Sequence, residues 1–236
     1  MKAMVINEIF YSLQGEGFLA GVPSVFVRLA GCPLRCRWCD TKYALDQRAG
    51  EDYNIGDIVK IVFRKESSGQ QWRCKFIVIT GGEPMINPDL PELVKEFKTA
   101  GKHITIETAG ISYIPDMPCD LMSISPKLSN SAADDAKASA AHEDSRLDTA
   151  VLQELVNNYE YQLKFVVDSQ DDLAEIRQTI EKIGSVNPAK VMLMPQAVTR
   201  DELLTKSPLV AEMCRQTGFT FCQRLQVLLW DNAKGK

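Results

Sequence analysis

Residues 75–107, KFIVITGGEPMINPDLPELVKEFKTAGKHITIE, decide the fold class. The apolar run over 75–80 ends in two glycines and predicts a strand that is buried on both faces. Asn87 and the proline after it mark the start of a helix, whose apolar residues follow at helical spacing until Gly101. The run 103–107 predicts the next strand, so this stretch is one strand–helix–strand unit with parallel strands.

Strand and helix patterns alternate on both sides of this unit. Further strands are predicted over 24–29, 120–124, 161–167, 191–194 and 219–229, and further helices over 55–64, 171–182 and 201–217. About six parallel strands are too few for a closed eight-stranded barrel. The sequence therefore predicts an α/β fold, an incomplete TIM-like βα barrel or open sheet with mainly parallel strands, in a single domain over residues 1–236. Function is expected at the C-terminal ends of the strands.

One segment interrupts this alternation. Residues 129–146, SNSAADDAKASAAHEDSR, are rich in Ala, Ser and Asp and have no strong apolar face. A mobile loop, a surface helix and a lid all remain open for this segment, and its composition favours a plain surface excursion.

The overall composition is that of a globular protein with a small-molecule substrate. Hydrophobic residues make up 45% and charged residues 25% of the chain, the usual balance for a soluble domain. The net charge of -4 provides no basic field for nucleic acid. No apolar run reaches the roughly 18 residues of a membrane helix, and the N-terminus does not resemble a signal peptide. We therefore expect a cytoplasmic protein without a nucleic-acid or membrane partner.

Three of the seven cysteines lie in GCPLRCRWCDT, residues 31–41, within a cluster loop predicted over 31–43. An odd number of cysteines in a reducing compartment favours metal or catalytic use over disulfides. A structural zinc site normally has four ligands, and no second ligand pair follows in the sequence. Three thiolates on an iron–sulfur cube leave one iron open for another ligand. Three buried, inert cysteines are the remaining alternative. For Cys74, Cys119, Cys214 and Cys222, the sequence favours a packing role.

The spacing of Cys32, Cys36 and Cys39 resembles that of the radical S-adenosylmethionine (SAM) enzymes. In that superfamily the three cysteines hold a 4Fe–4S cluster, whose open iron binds SAM and whose electron cleaves it to a 5′-deoxyadenosyl radical. The stretch TGGEP, residues 80–84, resembles the element that lies against the SAM amino group. Two glycines before a proline are common on their own, but their position on a strand after the cysteines makes the combination specific.

Four other stretches resemble the 7-carboxy-7-deazaguanine synthase family, the radical SAM enzymes of queuosine and other 7-deazapurine biosynthesis. They are YSLQGEG at 11–17, GVPSVFVRL at 21–29, CDTKY at 39–43 and SPKL at 125–128. The resemblance implies conversion of 6-carboxy-5,6,7,8-tetrahydropterin to 7-carboxy-7-deazaguanine with loss of ammonia. Hydrogen abstraction at C6 and Mg²⁺-assisted ring contraction would carry it out, with SAM regenerated. A homodimer and an electron donor such as flavodoxin or ferredoxin are also implied.

The same resemblance assigns the site residue by residue and names no acid or base catalyst. Substrate binding is implied for Leu13, Gln14, Gly15, Glu16, Arg28 and Thr80. SAM binding is implied for Gly82, Glu83, Glu107, Ser125, Pro126, Lys127 and Gln196. Cluster binding is implied for Cys32, Cys36 and Cys39, and Mg²⁺ binding for Thr41.

Several of these residues also have plainer interpretations. Gln14 and Glu16 among glycines are typical of an ordinary turn. Arg28 in an apolar strand needs an anionic partner, which is either the substrate carboxylate or an internal acidic side chain. Lys127 at a loop mouth is commonly solvated. Gln226 stands where many family members are expected to have histidine, which leaves contact between the C-terminal tail and substrate open.

Two other functions compete with this one. An activase that installs a glycyl radical on a partner protein would share the cysteine spacing and the small size, but would not need the LQGEG loop, Arg28 or the CDTKY stretch. A non-catalytic iron–sulfur or zinc module would have four protein ligands and no SAM binding.

Overall fold

The computed structural model describes residues 3–63, 72, 75–132, 135–231, 233 and 235. In this part of the chain the strands are β1 (Ala3–Leu13), β2 (Pro23–Leu29), β3 (Glu51–Asn54), β4 (Phe76–Gly81), β5 (His103–Thr108), β6 (Leu121–Ile124), β7 (Tyr161–Val167), β8 (Val191–Pro195) and β9 (Thr220–Phe221). The α-helices are α1 (Ile55–Phe63), α2 (Leu90–Thr99), α3 (Ala136–Ser145), α4 (Thr149–Asn158), α5 (Asp172–Ile183), α6 (Arg200–Thr217) and α7 (Leu225–Trp230).

These strands form one sheet in the order β3-β1-β2-β4-β5-β6-β7-β8-β9. β1 runs antiparallel to both of its neighbours, and each pair from β2 to β9 is parallel. β3 and β9 each have one strand neighbour, so the sheet does not close. The predicted single-domain, mainly parallel α/β fold with an incomplete barrel is confirmed.

The two faces of the sheet have different chemistry because side chains alternate along each strand. On β7, Leu163, Phe165 and Val167 belong to the main core, which also contains residues of α1, α2, α4, α5 and α6. The opposite face of β7 carries Lys164, and its Val166 joins a small apolar cluster with residues of β8. The outer face therefore holds the helices, and the inner face provides the polar side chains of the site.

The predicted strand over 219–229 is wrong beyond its first residues. β9 covers only Thr220–Phe221, and the following apolar run forms α7. A short apolar run does not by itself separate strand from helix. Here the buried side chain of Arg224 forms ion pairs with groups that line the cavity, and the backbone N–H of Leu225 donates to the carbonyl of Gly15 at 2.8 Å. These contacts hold the chain away from the sheet edge.

Other differences concern elements that the sequence did not predict or placed slightly differently. The alternating strand β1, the short strand β3 and the helix α4 were not predicted. α2 begins at Leu90 rather than at Asn87, because Asn87 closes the preceding turn by accepting from the N–H of Asp89 at 3.0 Å. Residue 64, the predicted end of the first helix, lies outside the described residues.

Residues 129–146 contain more regular structure than a plain excursion. A 3₁₀ turn covers Ser129–Ser131 and α3 follows, with residues 133 and 134 outside the described part. His142 of α3 is buried. Within the described ranges, no helix combines the length and the apolar character needed to cross a membrane.

Candidate active site

A cavity of about 860 Å³ opens at the C-terminal ends of the parallel strands. Of the residues predicted for the site, only Cys36 and Pro126 do not line it. The predicted residues that do are Leu13, Gln14, Gly15, Glu16, Arg28, Cys32, Cys39, Thr41, Thr80, Gly82, Glu83, Glu107, Ser125, Lys127 and Gln196. Residues far apart in the chain therefore meet in one site, at the end of the sheet where such folds carry function.

Backbone hydrogen bonds fix the shape of the cluster loop around its three cysteines. The backbone N–H of Cys39 donates to the carbonyl of Cys36 at 3.1 Å, and that of Cys32 to the carbonyl of Leu45 at 3.1 Å. Burial raises the pKa of Cys32 to about 12, and the negative charges of Glu83 and Cys36 act in the same direction. Such thiols keep their protons unless a metal displaces them.

The donor set fits an iron–sulfur cluster. Three thiols come from one short loop, two of them line the cavity, and the positive charge of Lys127 lowers the pKa of both Cys32 and Cys36 against the larger effect of burial. Over the described residues, no group of three or more His, Cys, Asp or Glu side chains is close enough to hold a single metal ion.

Gly82 must be glycine because the cluster loop passes directly over it. A Cβ at this position would lie 2.0 Å from the carbonyl oxygen of Gly31 and 2.8 Å from the backbone nitrogen of Cys32. The next residue, Glu83, donates its backbone N–H to the same carbonyl at 2.8 Å. The TGGEP turn and the cluster loop are therefore packed as one unit.

The Glu83 carboxylate is buried and joins the ends of β4 and β5. It accepts from the N–H of Met85 at 3.0 Å, the hydroxyl of Thr108 at 2.7 Å and the N–H of Ala109 at 2.7 Å. Burial raises the pKa of Glu83, although these hydrogen bonds favour the ionised form. Its contact with SAM stays a prediction. Its hydrogen bonds link the turn after β4 to the end of β5, so the carboxylate positions these two segments relative to each other.

Five charged side chains form a continuous network along the cavity. Lys164, almost completely buried, donates to Glu16 and to Glu107, both at 2.9 Å. Arg224 donates to Glu16 at 3.2 Å and also to Asp40 of the cluster loop. Burial raises the pKa of Glu16, but the charges of Lys164 and Arg224 outweigh this and hold it well below its ordinary value. Glu16 is therefore an ionised carboxylate in the cavity wall.

The LQGEG loop is attached to this network and is more than an ordinary turn. Gln14 donates to Glu107 at 2.9 Å and accepts from the N–H of Gly15 at 2.8 Å. Gln226 donates to Glu16 at 2.8 Å, so the C-terminal tail does reach the loop. A Cβ on Gly15 would lie 1.8 Å from the amide oxygen of Gln226, so a larger residue there would displace this side chain.

The surroundings of Arg28 fit both partners that the sequence left open, an internal acidic side chain and the substrate carboxylate. Its Nε donates to Glu8 at 2.7 Å, and the hydroxyl of Tyr43 donates to the same carboxylate oxygen at 2.9 Å. The terminal nitrogens of Arg28 have no hydrogen-bond partner in the described part of the chain, and the side chain lines the cavity. The internal ion pair exists, and it leaves donors for a second anion.

Four of the residues predicted for SAM binding, Ser125, Pro126, Lys127 and Gln196, directly follow β6 and β8. Lys127 donates to the carbonyl and the hydroxyl of Ser125, at 2.7 and 2.9 Å, and its ammonium lies 5.7 Å from the ring centre of Trp38. The amide oxygen of Gln196 accepts from Lys206 at 2.5 Å. Pro126 is buried between them.

Thr41, the predicted Mg²⁺ ligand, also lies in the cavity wall. Its hydroxyl is 3.6 Å from the sulfur of Cys39. Asp40 beside it forms an ion pair with Arg224.

Sequence reasoning missed several residues that organise the site, namely Glu8, Tyr43, Lys164 and Arg224. Lys164 left a signal, because a lysine within the otherwise apolar stretch of β7 requires a buried counter-charge. Of the four cysteines given a packing role, Cys214 lies in the main core, and Cys222 lies in the inner cluster, where it accepts from the N–H of Gly17. Cys119 packs against the main core, and Cys74 lies outside the described residues.

The chain is similar to known proteins over most of its length. The family model of the radical SAM superfamily matches residues 27–131. The chain is 38% identical to 7-carboxy-7-deazaguanine synthase of Rhodopirellula baltica, over 99% of this chain and 89% of that protein. The chain belongs to the 7-carboxy-7-deazaguanine synthase family.

Other members of the 7-carboxy-7-deazaguanine synthase family and one solved structure support the same assignment. The synthase of Halobacterium salinarum is 37% identical, over 98% of this chain and 92% of its own length. The crystal structure of QueE from Escherichia coli superimposes with a TM-score of 0.72 at 25% identity, covering 94% of both chains. A member of this radical SAM enzyme family is expected to use a 4Fe–4S cluster and SAM, and the three thiols of the cluster loop fit the cluster.

Proposed function

We propose that this enzyme converts 6-carboxy-5,6,7,8-tetrahydropterin to 7-carboxy-7-deazaguanine with loss of ammonia. The observation that carries the proposal is that the LQGEG loop, Arg28 and two cysteines of the cluster loop, Cys32 and Cys39, all line one cavity. The names of the relatives support the product. With the cluster and SAM bound, the site would supply the radical that removes the hydrogen at C6 of the pterin.

The substrate side of the cavity offers complementary charges. The terminal nitrogens of Arg28 suit the substrate carboxylate, because a guanidinium binds a carboxylate with two parallel hydrogen bonds. Glu16, ionised and supported by Lys164, can accept from N–H groups of the pterin. Thr80 lies opposite Arg28 in the register of β4 and β2 and provides a hydroxyl.

The cofactor side offers groups for the polar ends of SAM. Ser125 and Lys127 would bind its carboxylate, and Gly82 allows close approach of backbone. Gln196 and Glu107 complete the proposed set, although Glu107 already accepts from Lys164, Gln14 and Ser123. Holding the reacting atoms in register is the main contribution of the protein to such a reaction.

Magnesium is the third component of the proposal. Mg²⁺ prefers hard oxygen ligands and keeps several waters, so the hydroxyl of Thr41 is sufficient as a single protein ligand. A cation at Thr41 would orient the pterin carboxylate and stabilise negative charge during ring contraction.

The cellular context is carried over from the family resemblance. We propose a cytoplasmic homodimer that receives electrons from a flavodoxin or ferredoxin. The bound cluster needs this external electron for each activation of SAM.

The test is anaerobic reconstitution with iron and sulfide, followed by turnover of the pterin with SAM, dithionite and Mg²⁺, read by mass spectrometry. We expect 7-carboxy-7-deazaguanine from the wild-type enzyme and none from Cys36→Ala, which lacks one cluster ligand. A reconstituted enzyme that cleaves SAM but leaves the pterin unchanged would overturn the substrate and leave the superfamily assignment in place.

A further inference from the structure

The segment over 129–146 is attached to the cluster loop on both sides of Cys36. On the N-terminal side, the backbone N–H of Arg35 donates to Nδ1 of His142 at 3.1 Å. The other ring nitrogen of His142 lies 2.9 Å from the hydroxyl of Ser131, which itself donates to the carbonyl of Leu128 at 2.6 Å. Because Nδ1 accepts and the Ser131 proton is committed, His142 is neutral with its proton on Nε2.

On the C-terminal side of Cys36, two further hydrogen bonds reach the same segment. The backbone N–H of Arg37 donates to the carbonyl of Ser131 at 3.1 Å, and the indole N–H of Trp38 donates to the carbonyl of Asn130 at 3.2 Å. We call Asn130, Ser131 and His142 the clamp. The clamp therefore holds the residue before Cys36 and the two residues after it.

The clamp is itself held by the body of the protein. The side-chain amide of Asn130 donates to the carbonyl of Val166 and to Asp172, both at 3.0 Å. The buried Arg146, at the end of α3, donates to the carbonyl of Lys127 at 2.8 Å and to Glu175 at 3.0 Å. Strand β7 and helix α5 thus provide a rigid base from which the clamp acts.

In the described part of the chain, the clamp contacts the cluster loop around Cys36 and makes no hydrogen bond next to Cys32. Cys32 is held by the backbone of Leu45, and both Cys32 and Cys39 lie in the cavity wall. Cys36 does not line the cavity, and the contacts of the clamp lie on both sides of it in the chain. Groups that orient the residues next to a metal ligand control how firmly the metal is held.

We propose that the clamp positions Cys36, and that His142 is a positioning residue for the 4Fe–4S cluster. The segment that resembles a surface excursion in sequence is then a part of the cluster site that lies outside the CxxxCxxC motif. The inference rests on the cluster-binding part of the proposed function and is independent of the identity of the pterin.

The test compares His142→Leu with His142→Asn after reconstitution. Leucine fills the buried space and removes both ring nitrogens, whereas asparagine places an amide oxygen near the position of Nδ1 and keeps an acceptor for Arg35. We expect His142→Leu to lose cluster iron to a chelator about tenfold faster than wild type. Its reduced cluster should also show an altered EPR spectrum with SAM, and His142→Asn should restore both properties in large part.

His103 provides the matched control, because it is the other histidine of the chain and lies at the opposite, N-terminal end of β5. His103→Leu should release iron at the wild-type rate. Ser131→Ala, which removes the side-chain partner of His142 and keeps the backbone contacts, should give an intermediate rate and serves if His142→Leu does not fold.

Wild-type iron release and an unchanged EPR spectrum in His142→Leu or, if that variant does not fold, in Ser131→Ala would overturn the clamp. Both measurements are made without pterin. An enzyme that fails to turn over the pterin therefore leaves this test intact, and a wild-type chain that assembles no cluster overturns both proposals.

Discussion

The guanidinium of Arg28 donates to Glu8 through Nε, and the side chain also lines the cavity. We expect Arg28→Met to raise the KM for the pterin about 10- to 100-fold, because hydrogen bonds between charged groups contribute about 1.5–3 kcal/mol. Arg28→Lys should have a KM between those of the wild type and Arg28→Met, since an ammonium carries the charge but cannot form two parallel hydrogen bonds with a carboxylate. Steady-state kinetics checks this, with the exposed Arg48→Met as control. An unchanged KM in Arg28→Met would show that the substrate carboxylate binds elsewhere.

Glu16 makes stability depend on pH in a defined direction. Its pKa is lowered from an ordinary value of 4.5 by the charges of Lys164 and Arg224, which outweigh the raising effect of burial. A group with a lowered folded-state pKa contributes stability above its unfolded value, and this is lost as the pH falls towards the folded value. We expect Glu16→Gln to have a lower melting temperature than the wild type at pH 7. This difference in melting temperature should become smaller below about pH 4.5.

The control for this measurement is Glu181→Gln, on the exposed face of α5. This variant should have the same melting temperature as the wild type at every pH. Thermal unfolding from pH 7 to pH 3 gives both curves. A gap of constant size over that range would mean that the Glu16 charge does not carry the stability difference.

At the scale of elements, the TGGEP turn and the cluster loop are in direct backbone contact at Gly82. We expect Gly82→Ala to lower the free energy of unfolding by about 1–3 kcal/mol, because the added methyl group meets backbone that has no room to move. It should also weaken SAM binding, since the displaced loop carries the cluster ligands. Urea unfolding and a SAM titration of the reconstituted enzyme check the two effects.

Gly56→Ala, at the start of α1, is the matched control for Gly82→Ala. Its nearest neighbour would be a side-chain oxygen at 3.4 Å, and alanine suits a helix better than glycine, so we expect a neutral or slightly stabilising change. Equal effects of the two substitutions would contradict the steric argument.

At the scale of the whole molecule, an exposed apolar face is consistent with the proposed dimer. Leu204 lies one turn after Arg200 on α6, and Arg200 binds the carbonyls of Leu228 and Leu229 on α7. All three leucines are exposed, Leu204 to 56%, and such patches commonly mark interfaces. We expect sedimentation velocity to show a species of twice the 26.3 kDa chain mass, and Leu204→Asp to shift it towards monomer. A wild-type monomer would contradict this.

The open barrel leaves space for the two molecules and the cluster that we propose for this cavity. The parallel strands from β2 to β9 curve around the inner face without closing, and their C-terminal ends surround about 860 Å³. The antiparallel β1 extends the sheet on one side and carries the LQGEG loop directly after its last residue. One edge of the barrel thus supplies the loop proposed for substrate, and the strands beyond it supply the residues proposed for SAM.

Local signals were enough to predict the alternation of strands and helices, the incomplete barrel and the cysteine loop. Apolar runs, helix start and stop residues and motif spacing all act within a few residues of one another. The resemblance also named a set of residues that the fold brings to one cavity. The same local signals misassigned the run over 225–229, because its conformation depends on where Arg224 finds its partners.

Only the tertiary structure decided which charges meet. Glu16 and Lys164 are 148 residues apart in sequence, and Arg35 and His142 are 107 apart. No local pattern encodes such pairs, because a buried ion or a neutral histidine is stabilised by whichever partners the fold places within hydrogen-bond distance. The sequence by itself determined the fold class and predicted the three cysteines for the cluster, whereas the charge network and the proposed clamp on Cys36 follow from how the strands and the 129–146 segment pack around them.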